Sequence, residues 1–172
     1  MMAQIRPYRL EEQDHLIHAI NTVCAECRYM FGPRFQPVPI WLHALNEPNC
    51  SRHYLTVVKV FGQIVGWCRL FPVSCAEHSN IVDLGLGLAR EFHGQGIGTS
   101  LLGNAIRWAQ SSCVRTITLD VHIENQQAQS LFIKFDFNPV SQKDCFYKMK
   151  LEVGSKLIGS RGDVTCIETV EL

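Results

Sequence analysis

The sequence predicts an α/β (α+β) fold, a mixed and mostly antiparallel sheet of about six to seven strands with helices on both faces. Two observations predict it. Two apolar runs separated only by Phe61-Gly62 form a hairpin signal, which makes their strands antiparallel. Later in the chain a helical segment links two other apolar strands, and such a crossover makes them parallel. A chain with both kinds of connection favours a mixed sheet.

The first half of the chain predicts three strands and two helices. Apolar residues recur at helical spacing after the first strand, and Asn46-Glu47-Pro48 stops the second helix. The expected elements are a strand over Ile5–Arg9, a helix over Glu11–Cys27, a Pro- and Gly-rich loop over Phe31–Pro39, a helix over Ile40–Leu45, and hairpin strands over Tyr54–Val60 and Gln63–Val73.

The second half alternates strands with helices and closes with two strands. Asn125 is a good N-cap for the last helix, and every second residue of the last strand is apolar. The expected elements are a strand over Ile81–Ala89, a glycine-rich loop over Arg90–Gly98, a helix ending near Ser112, a strand over Thr116–Val121, a helix after Asn125, and strands over Phe137–Val140 and Cys145–Val153.

Length and composition indicate one globular domain. With 172 residues we expect a domain over 1–153 and a C-terminal extension over 154–172 that could add one more strand. The net charge is zero, so no strong overall field attracts nucleic acid or an anionic membrane, and only a local basic patch could do so. The N-terminus has no secretory apolar core, and the most apolar stretch, Ile64–Val73, is interrupted by Arg69 and Pro72. We therefore expect a cytoplasmic protein.

The eight cysteines do not predict disulfides or a metal. A chain of this length has enough core residues to fold without disulfides, and thiols within strands act as small apolar side chains. Cys24-x-x-Cys27 is the one close pair, and a zinc site would need two more ligands that do not stand out. We therefore expect no metal.

The segment that carries chemistry is the loop with Gly94, Gly96 and Gly98, between a strand and a helix. Glycines let backbone N–H groups converge on one point, and a helix N-terminus adds free donors and positive charge. Such a site suits a pyrophosphate. The sequence disfavours a P-loop because Gly98-Thr99-Ser100 lacks lysine. A dinucleotide fingerprint would need its third glycine at Thr99, although Asp120 lies where a ribose-binding acid would, so that reading stays a minor alternative. A ligand-free glycine turn remains an alternative.

On these residues the chain resembles the GNAT superfamily of N-acetyltransferases. That family's acetyl-CoA motif, Q/R-x-x-G-x-G/A, matches the run from His93 to Gly98, and its second element, N-x-x-A-x-x-L-Y-x-K-x-G-F, matches the run from Asn125 to Phe137. The resemblance covers about residues 4–152 and is most specific between Asp83 and Phe137. It implies direct transfer of an acetyl group from acetyl-CoA to an amine through a tetrahedral intermediate.

Three positions depart from the family pattern. His93 stands where the family has Gln or Arg, and the cost should be small because the loop acts through its backbone amides. Phe132 replaces a Tyr that often protonates the departing thiolate, so that role has no donor here. Asp136 replaces a helix-ending Gly, which Asp partly imitates in the left-handed conformation.

The resemblance also implies which residues bind the cofactor. Backbone groups of the fourth strand hold the pantetheine arm in the family, and Leu86 and Leu88 match them. A family contact to the cofactor matches Asn125, which is equally explained as a plain N-cap. The full expected set is Leu86, Leu88, His93, Gly94, Gln95, Gly96, Ile97, Gly98, Thr99, Asn125 and Phe132.

Asp83 is the expected general base, because many members carry an acid ten residues before the Q/R position. It shares a strand face with Gly85 and Gly87, as expected if a ligand lies close against the strand. The alternative is a strand-edge acid paired with an arginine. Tyr147 is a candidate acid and His122 an alternate base, each more readily explained as structural.

The acceptor amine stays open. Family precedent places specificity between the first two helices and in the last hairpin, here Arg34, Phe35, Trp41 and His43, and Gln142–Cys145. We take Phe35 and Trp41 as candidate substrate contacts. A small metabolite, an antibiotic-like amine, and a protein N-terminus or lysine all fit as the acceptor. The sequence is also compatible with a homodimer. A non-catalytic acyl-CoA-binding or regulatory module is the alternative function, supported by the loss of the family Tyr at Phe132.

Overall fold

The computed structural model describes residues 3–26, 29, 34–73 and 80–154. The strands are β1 Gln4–Pro7, β2 Tyr54–Val60, β3 Gln63–Pro72, β4 Ile81–Leu88, β5 Thr116–His122, β6 Asn138–Lys143 and β7 Phe146–Glu152. The helices are α1 Gln13–Glu26, α2 Pro39–Asn46, α3 Ile97–Gln110 and α4 Gln126–Lys134. Short 3₁₀ turns precede α1 at Leu10–Glu12 and follow β4 at Arg90–Phe92. Cys27 and the extension after Gly154 lie outside the described residues.

The strands form one seven-stranded sheet in the order β1-β2-β3-β4-β5-β7-β6. Every neighbouring pair is antiparallel except β4 and β5, which are parallel because α3 connects them across one face. The mixed, mostly antiparallel sheet expected from the sequence is therefore confirmed. Among the described residues, no helix combines the length and the apolar character that crossing a membrane requires.

The parallel pair in the middle of the sheet is short. β4 and β5 pair only at Ile81 with Thr116, Val82 with Ile117, and Asp83 with Thr118. Both strands continue beyond these positions, β4 to Leu88 and β5 to His122, but they no longer pair with each other. The sheet thus opens into a gap whose β4 side runs from Leu84 to Leu88.

The sheet has a core on each face. α3 and α4 cover one face, where Leu101, Leu102 and Phe137 are at most 1% exposed. α1 and α2 cover the other face, where Leu16 and Phe71 are equally buried. Helices on both faces were expected from the apolar stripes of the helical segments. On the α1/α2 face β5 and β7 present mainly polar residues instead, among them Asp120, Lys148 and Lys150.

Turn residues adopt the conformations that their sequence predicts. Phe61 and Gly62 have φ of 49° and 82°, and two successive positive φ values match the right-handed twist of the β2–β3 hairpin. Asp136 has φ of 64°, so it takes the left-handed conformation expected after the last helix.

Helix starts differ from the sequence prediction by a few residues. The first helix begins at Gln13 rather than Glu11 because Leu10–Glu12 forms the 3₁₀ turn. The second begins at Pro39, which the sequence placed in the loop, since proline is favoured in the first helical turn.

One closing strand was misplaced. It runs over Asn138–Lys143 rather than Phe137–Val140, and its pairing with β7 shifts register between Pro139 and Ser141. Such a shift lets the strand continue past Val140.

Candidate active site

The glycine-rich loop joins the open part of β4 to the N-terminus of α3. Gly94 and Gly96 have φ of 72° and 78°, a conformation that favours glycine. A Cβ placed on either residue would have no atom within 4 Å, so the space beside both is open. The loop therefore combines an enforced glycine backbone with room for a bound molecule.

The start of α3 leaves backbone donors unused. The first bond into the helix runs from the Ser100 N–H to the Gly96 carbonyl, 3.0 Å from N to O, and no side chain caps the helix. Within the described part of the chain, the N–H groups of Ile97, Gly98 and Thr99 thus have no acceptor. Together with the helix dipole they form an anion site, and they fit the pyrophosphate that the sequence predicts here.

Two side chains of the loop hold it in place. The His93 Nε2 lies 2.8 Å from the Leu88 carbonyl, and because a carbonyl only accepts, Nε2 carries the proton. The Gln95 amide donates to the Glu91 carbonyl at 3.0 Å. The His93 bond ties the loop to the end of β4, and the Gln95 bond ties it to the 3₁₀ turn that follows β4, so the anion site and the open strand edge keep one relative position. The sequence did not predict these side-chain bonds.

Asn125 caps α4, since its side-chain oxygen accepts the Ala128 N–H at 3.2 Å. The N-cap role expected from the sequence is present, and a contact with the cofactor stays a prediction. Gly98 lies beside α4 as well, because a Cβ there would be 3.4 Å from Leu131. The N-terminal part of α3 and α4 are therefore packed side by side.

Asp83 is the last residue of β4 that pairs with β5, so it lies where the gap begins. Its carboxylate accepts from the Arg69 guanidinium at 2.9 Å, and Arg69 also donates to the Asp83 carbonyl at 3.2 Å. The side chain of Asp83 is 35% exposed, which leaves it reachable. Burial raises the pKa of Asp83 above its usual value, and the Arg69 charge opposes that rise. Asp83 is thus paired with an arginine, as the structural alternative to the general base expected, and its carboxyl is also accessible to water.

The glycines next to Asp83 have a different cause from the one expected. A Cβ on Gly85 would lie 2.6 Å from the Arg69 Nε, and one on Gly87 would lie 2.5 Å from the Trp67 Cζ2. Side chains of β3 therefore cross over both glycines, and the space is not kept for a ligand. Glycine at 85 allows Arg69 to reach Asp83. Arg69 is the residue of this site that sequence reasoning missed, and the register of β3 against β4 is what reveals it.

A second acid lies near the gap. Asp120 of β5 pairs with Lys148 of β7, with 3.8 Å between the charged atoms. Its charge adds to the rise in the pKa of Asp83, whereas Lys148 lowers that pKa slightly. Asp120 alternates with the core residues Leu119 and Val121, so it lies on the Asp83 face of the sheet. This face of the gap thus carries two solvent-accessible carboxylates, each beside a cation.

Phe35 and Trp41 belong to an aromatic row on the same face. The ring centroids of Phe35 and Trp41 are 4.9 Å apart, and those of Trp41 and Phe71 are 5.0 Å apart. The Arg69 guanidinium lies 4.9 Å from the centroid of Phe71. Trp41 is only 8% exposed, so Phe35 presents more of its surface to an acceptor. Their contact with a substrate stays a prediction.

Phe132 and Tyr147 lie on the opposite face. Phe132 is 8% exposed and packs against Phe137 with centroids 5.7 Å apart. Tyr147 pairs with Val121 of β5 and packs at the border of the α3/α4 core. Tyr147 and Asp83 thus lie on opposite faces of the sheet. The acid role expected for Tyr147 stays a prediction.

His122, the alternate base, is held by aromatic neighbours. Its ring centroid lies 5.1 Å from that of Tyr29 and 5.3 Å from that of Phe146. The His122 Nδ1 accepts the Glu124 N–H at 3.2 Å. These contacts favour the structural role.

Comparisons with known proteins show which family the chain is similar to. The family model described as acetyltransferase (GNAT) family matches residues 17–137. A Bacillus subtilis protein named "Putative ribosomal protein bS18-alanine N-acetyltransferase" is 28% identical over 148 residues, which are 84% of this chain and 87% of that protein.

Two solved structures share the fold. An acetyltransferase of the GNAT family from Streptococcus pneumoniae has a TM-score of 0.79 at 21% identity, covering 89% of this chain and 100% of its own. A Salmonella typhimurium structure, described as a "putative acetyltransferase" with its cofactor acetyl-CoA, has a TM-score of 0.74 at 13% identity, covering 96% and 100%. At these identities the structures support the fold alone.

Proposed function

Because the chain belongs to the GNAT family of acetyltransferases and is an acyltransferase, we propose that it transfers the acetyl group of acetyl-CoA to a primary amine. The observation that carries the proposal is the position of the amide loop beside the open edge of β4. Acetyl-CoA has a pyrophosphate that the loop amides can bind and an extended arm with amides that the strand edge can bind, so the two features must lie next to each other. The β4–β5 gap then leads to the face that carries Asp83.

The donor side works through backbone groups. The free N–H groups at Ile97, Gly98 and Thr99 would bind the pyrophosphate oxygens, and each such bond to a charged oxygen is worth about 1.5–3 kcal/mol. The edge of β4 from Leu84 to Leu88, which does not pair with β5, would pair with the amides of the pantetheine arm as an added strand does, except at the Leu88 carbonyl that His93 occupies. Acetyl-CoA supplies the thioester that is cleaved.

The acceptor side works through Asp83. An ammonium has no lone pair, so the amine first gives a proton to the Asp83 carboxylate, directly or through a water. The amine nitrogen then forms a bond to the acetyl carbon. As the carbon–sulfur bond breaks, the nitrogen releases its second proton, which replaces the proton that the departing thiolate takes up. A raised pKa suits this task, because a stronger base takes the proton more readily. Arg69 fixes the direction of the carboxylate through its bond at 2.9 Å.

The departing thiolate takes up a proton at the end of the reaction. Phe132 has no proton to give, and its ring packs in the core. We propose Tyr147 as the donor, because it lies on the face opposite Asp83, where a thiol that enters the gap from the loop side would be. A CoA thiol is a good leaving group, so the expected contribution of Tyr147 is modest.

The acceptor is a cationic amine. An amine is protonated at neutral pH, and Asp83 and Asp120 offer it carboxylates on this face, although Arg69 and Lys148 also pair with them. The aromatic rings of Phe35 and Trp41 border the same face. A peptide N-terminus that begins with alanine deserves the first place in an amine panel, because the Bacillus subtilis relative carries that substrate in its name.

Calorimetry with acetyl-CoA and mass spectrometry of acetylated products test the proposal together. Wild type should bind acetyl-CoA, and a Gly96→Asp variant, with a carboxylate in the anion site, should not. Asp83→Asn should bind acetyl-CoA as wild type does and lose acetylation of the amine panel. Binding without any product would support the acyl-CoA-binding module instead, and no binding to wild type would overturn the proposal.

A further inference from the structure

Three side chains that can bind a metal meet at the end of α2, away from the glycine loop. They are His43 on α2, Cys50 in the connection to β2, and His53 just before β2. One ligand atom from each lies within 4.8 Å of the other two. The connection is short, and the His53 N–H points back to the Cys50 carbonyl at 3.5 Å, which folds the last two residues of the set into one turn.

The nitrogen atoms of this cluster are buried without partners. His53 is 4% exposed, and neither of its ring nitrogens has a hydrogen-bond partner among the described residues. The His43 Nε2 is buried and unpartnered in the same sense. Buried polar atoms nearly always have partners, since each one left alone costs about 1–3 kcal/mol. The unpartnered nitrogens of two neighbouring rings indicate a partner that the protein chain does not provide, and one nitrogen from each ring can face it.

Aromatic packing explains the ring positions but leaves the nitrogens without partners. The His43 and His53 ring centroids are 5.7 Å apart in an edge-to-face arrangement, and His53 lies 5.9 Å from Phe71. Phenylalanine at position 53 could make the same contacts without burying two polar atoms. Packing alone therefore does not account for a histidine at this place.

We propose that His43, Cys50 and His53 bind a zinc ion. Imidazole and thiolate are the ligands that zinc prefers, whereas magnesium and calcium take oxygen. Donor atoms around tetrahedral zinc lie about 3.3–3.6 Å apart, given bonds of about 2.0–2.3 Å, so small side-chain rotations would close the present spacing. Cys50 is half-buried and loses its thiol proton to solvent on binding, and water can take the fourth position from that side.

The proposed ion would act as a structural clamp. It would fasten the last turn of α2 to the residue that precedes β2. Trp41 lies two residues before His43, and Phe71 lies against both Trp41 and His53. Zinc would therefore stabilise the aromatic row that borders Asp83, without touching the reacting atoms. The sequence contained one signal for this site, the pair Cys50-x-x-His53 with His43 seven residues before it.

Zinc titration of the metal-free, tag-free chain tests the proposal. We expect one zinc per chain, and a rise in Tm of about 5–10 °C when zinc exceeds its Kd about a hundredfold. Cys50→Ser should lose most of that rise. Cys145→Ser and His18→Ala are the matched controls, because both residues are exposed and lie outside the cluster, and both variants should respond as wild type does.

A second variant keeps the test valid if Cys50→Ser folds poorly. His53→Phe removes the buried ring nitrogens and keeps the contact with Phe71, so in chelator it should be at least as stable as wild type. With zinc it should gain no stability. Cobalt provides an independent reading, since thiolate ligation gives a sulfur-to-metal charge-transfer band that Cys50→Ser should abolish. Equal zinc responses in wild type, Cys50→Ser and His53→Phe would overturn the proposal.

Discussion

Replacing Gly96 by alanine separates the role of the loop in binding from its role in folding. Gly96 has φ of 78° and open space where a Cβ would go, so Gly96→Ala adds strain without a clash. Gly62 has φ of 82° and equally open space, but it lies in the β2–β3 turn. The left-handed conformation costs a residue with a Cβ about 1–2 kcal/mol, and the stiffer unfolded chain returns about 0.4–1 kcal/mol. Both variants should therefore lose about 1 kcal/mol of stability.

Only the Gly96 variant should lose affinity for acetyl-CoA. Its methyl group would enter the space in which we place the pyrophosphate, and displacing one charge-assisted bond of about 1.5–3 kcal/mol weakens binding about tenfold or more. Thermal unfolding should show Tm falling by about 2–4 °C in both variants, and calorimetry should separate them. If Gly96→Ala binds acetyl-CoA as tightly as Gly62→Ala does, the loop does not hold the pyrophosphate and the proposed cofactor site is wrong.

Two further predictions concern stability. Glu12 is buried between Arg6 and Lys59, and the Arg6 hydrogen bond is the main reason that its pKa falls to about 2. Glu12→Gln should therefore lower the free energy of unfolding at pH 7 by about 1–2 kcal/mol, after a discount for the solvent that reaches both cations. This difference should shrink between pH 4.5 and about 2, as Glu12 of the wild type becomes protonated. Urea unfolding at several pH values measures the difference, and a difference that does not change with pH would contradict the prediction. Gly87→Ala should cost about 1–3 kcal/mol in the same assay, because its Cβ meets the buried Trp67 ring, and an unchanged midpoint would show that the ring can move.

Local patterns in the sequence predicted most of the fold. Tyr54–Val60 has the predicted bounds, since a strand between two turns is marked on both sides. The conformations of Phe61, Gly62 and Asp136 follow from the preferences of single residues and their neighbours. Asn125 likewise needs only its own helix to act as a cap. Each of these features depends on contacts within a few residues, which a single sequence displays.

Features that depend on contacts between distant segments were missed. Nothing near Gly85 in the sequence indicates that the Arg69 side chain crosses over it, because the register of β3 against β4 decides that contact. The same register brings Arg69 to Asp83. His43 and His53 also need the folded core, since Phe71 of β3 holds one of their rings in place. The sequence therefore indicated the donor side of the site better than the acceptor side.

The charges around Asp83 give a test of its proposed role as the base. If Asp83 is the group that must be ionised, the acidic limb of the pH profile of kcat/KM reports its pKa in the free enzyme. Arg69 and Lys148 lower that pKa, Arg69 the more strongly, and Asp120 raises it. Arg69→Met should therefore move the limb to higher pH, Lys148→Met should move it less in the same direction, and Asp120→Asn should move it to lower pH.

The signs make this test independent of how much each substitution harms the enzyme. Lost packing lowers the rate at every pH, but it does not move the limb in opposite directions for a removed cation and a removed anion. Arg69→Met should keep much of the rate at high pH, where Asp83 is ionised without help. A structural ion pair predicts something else, since Arg69→Met and Asp83→Asn would then reduce activity in parallel at every pH. A limb that stays in place in all three variants would assign the essential base to another group.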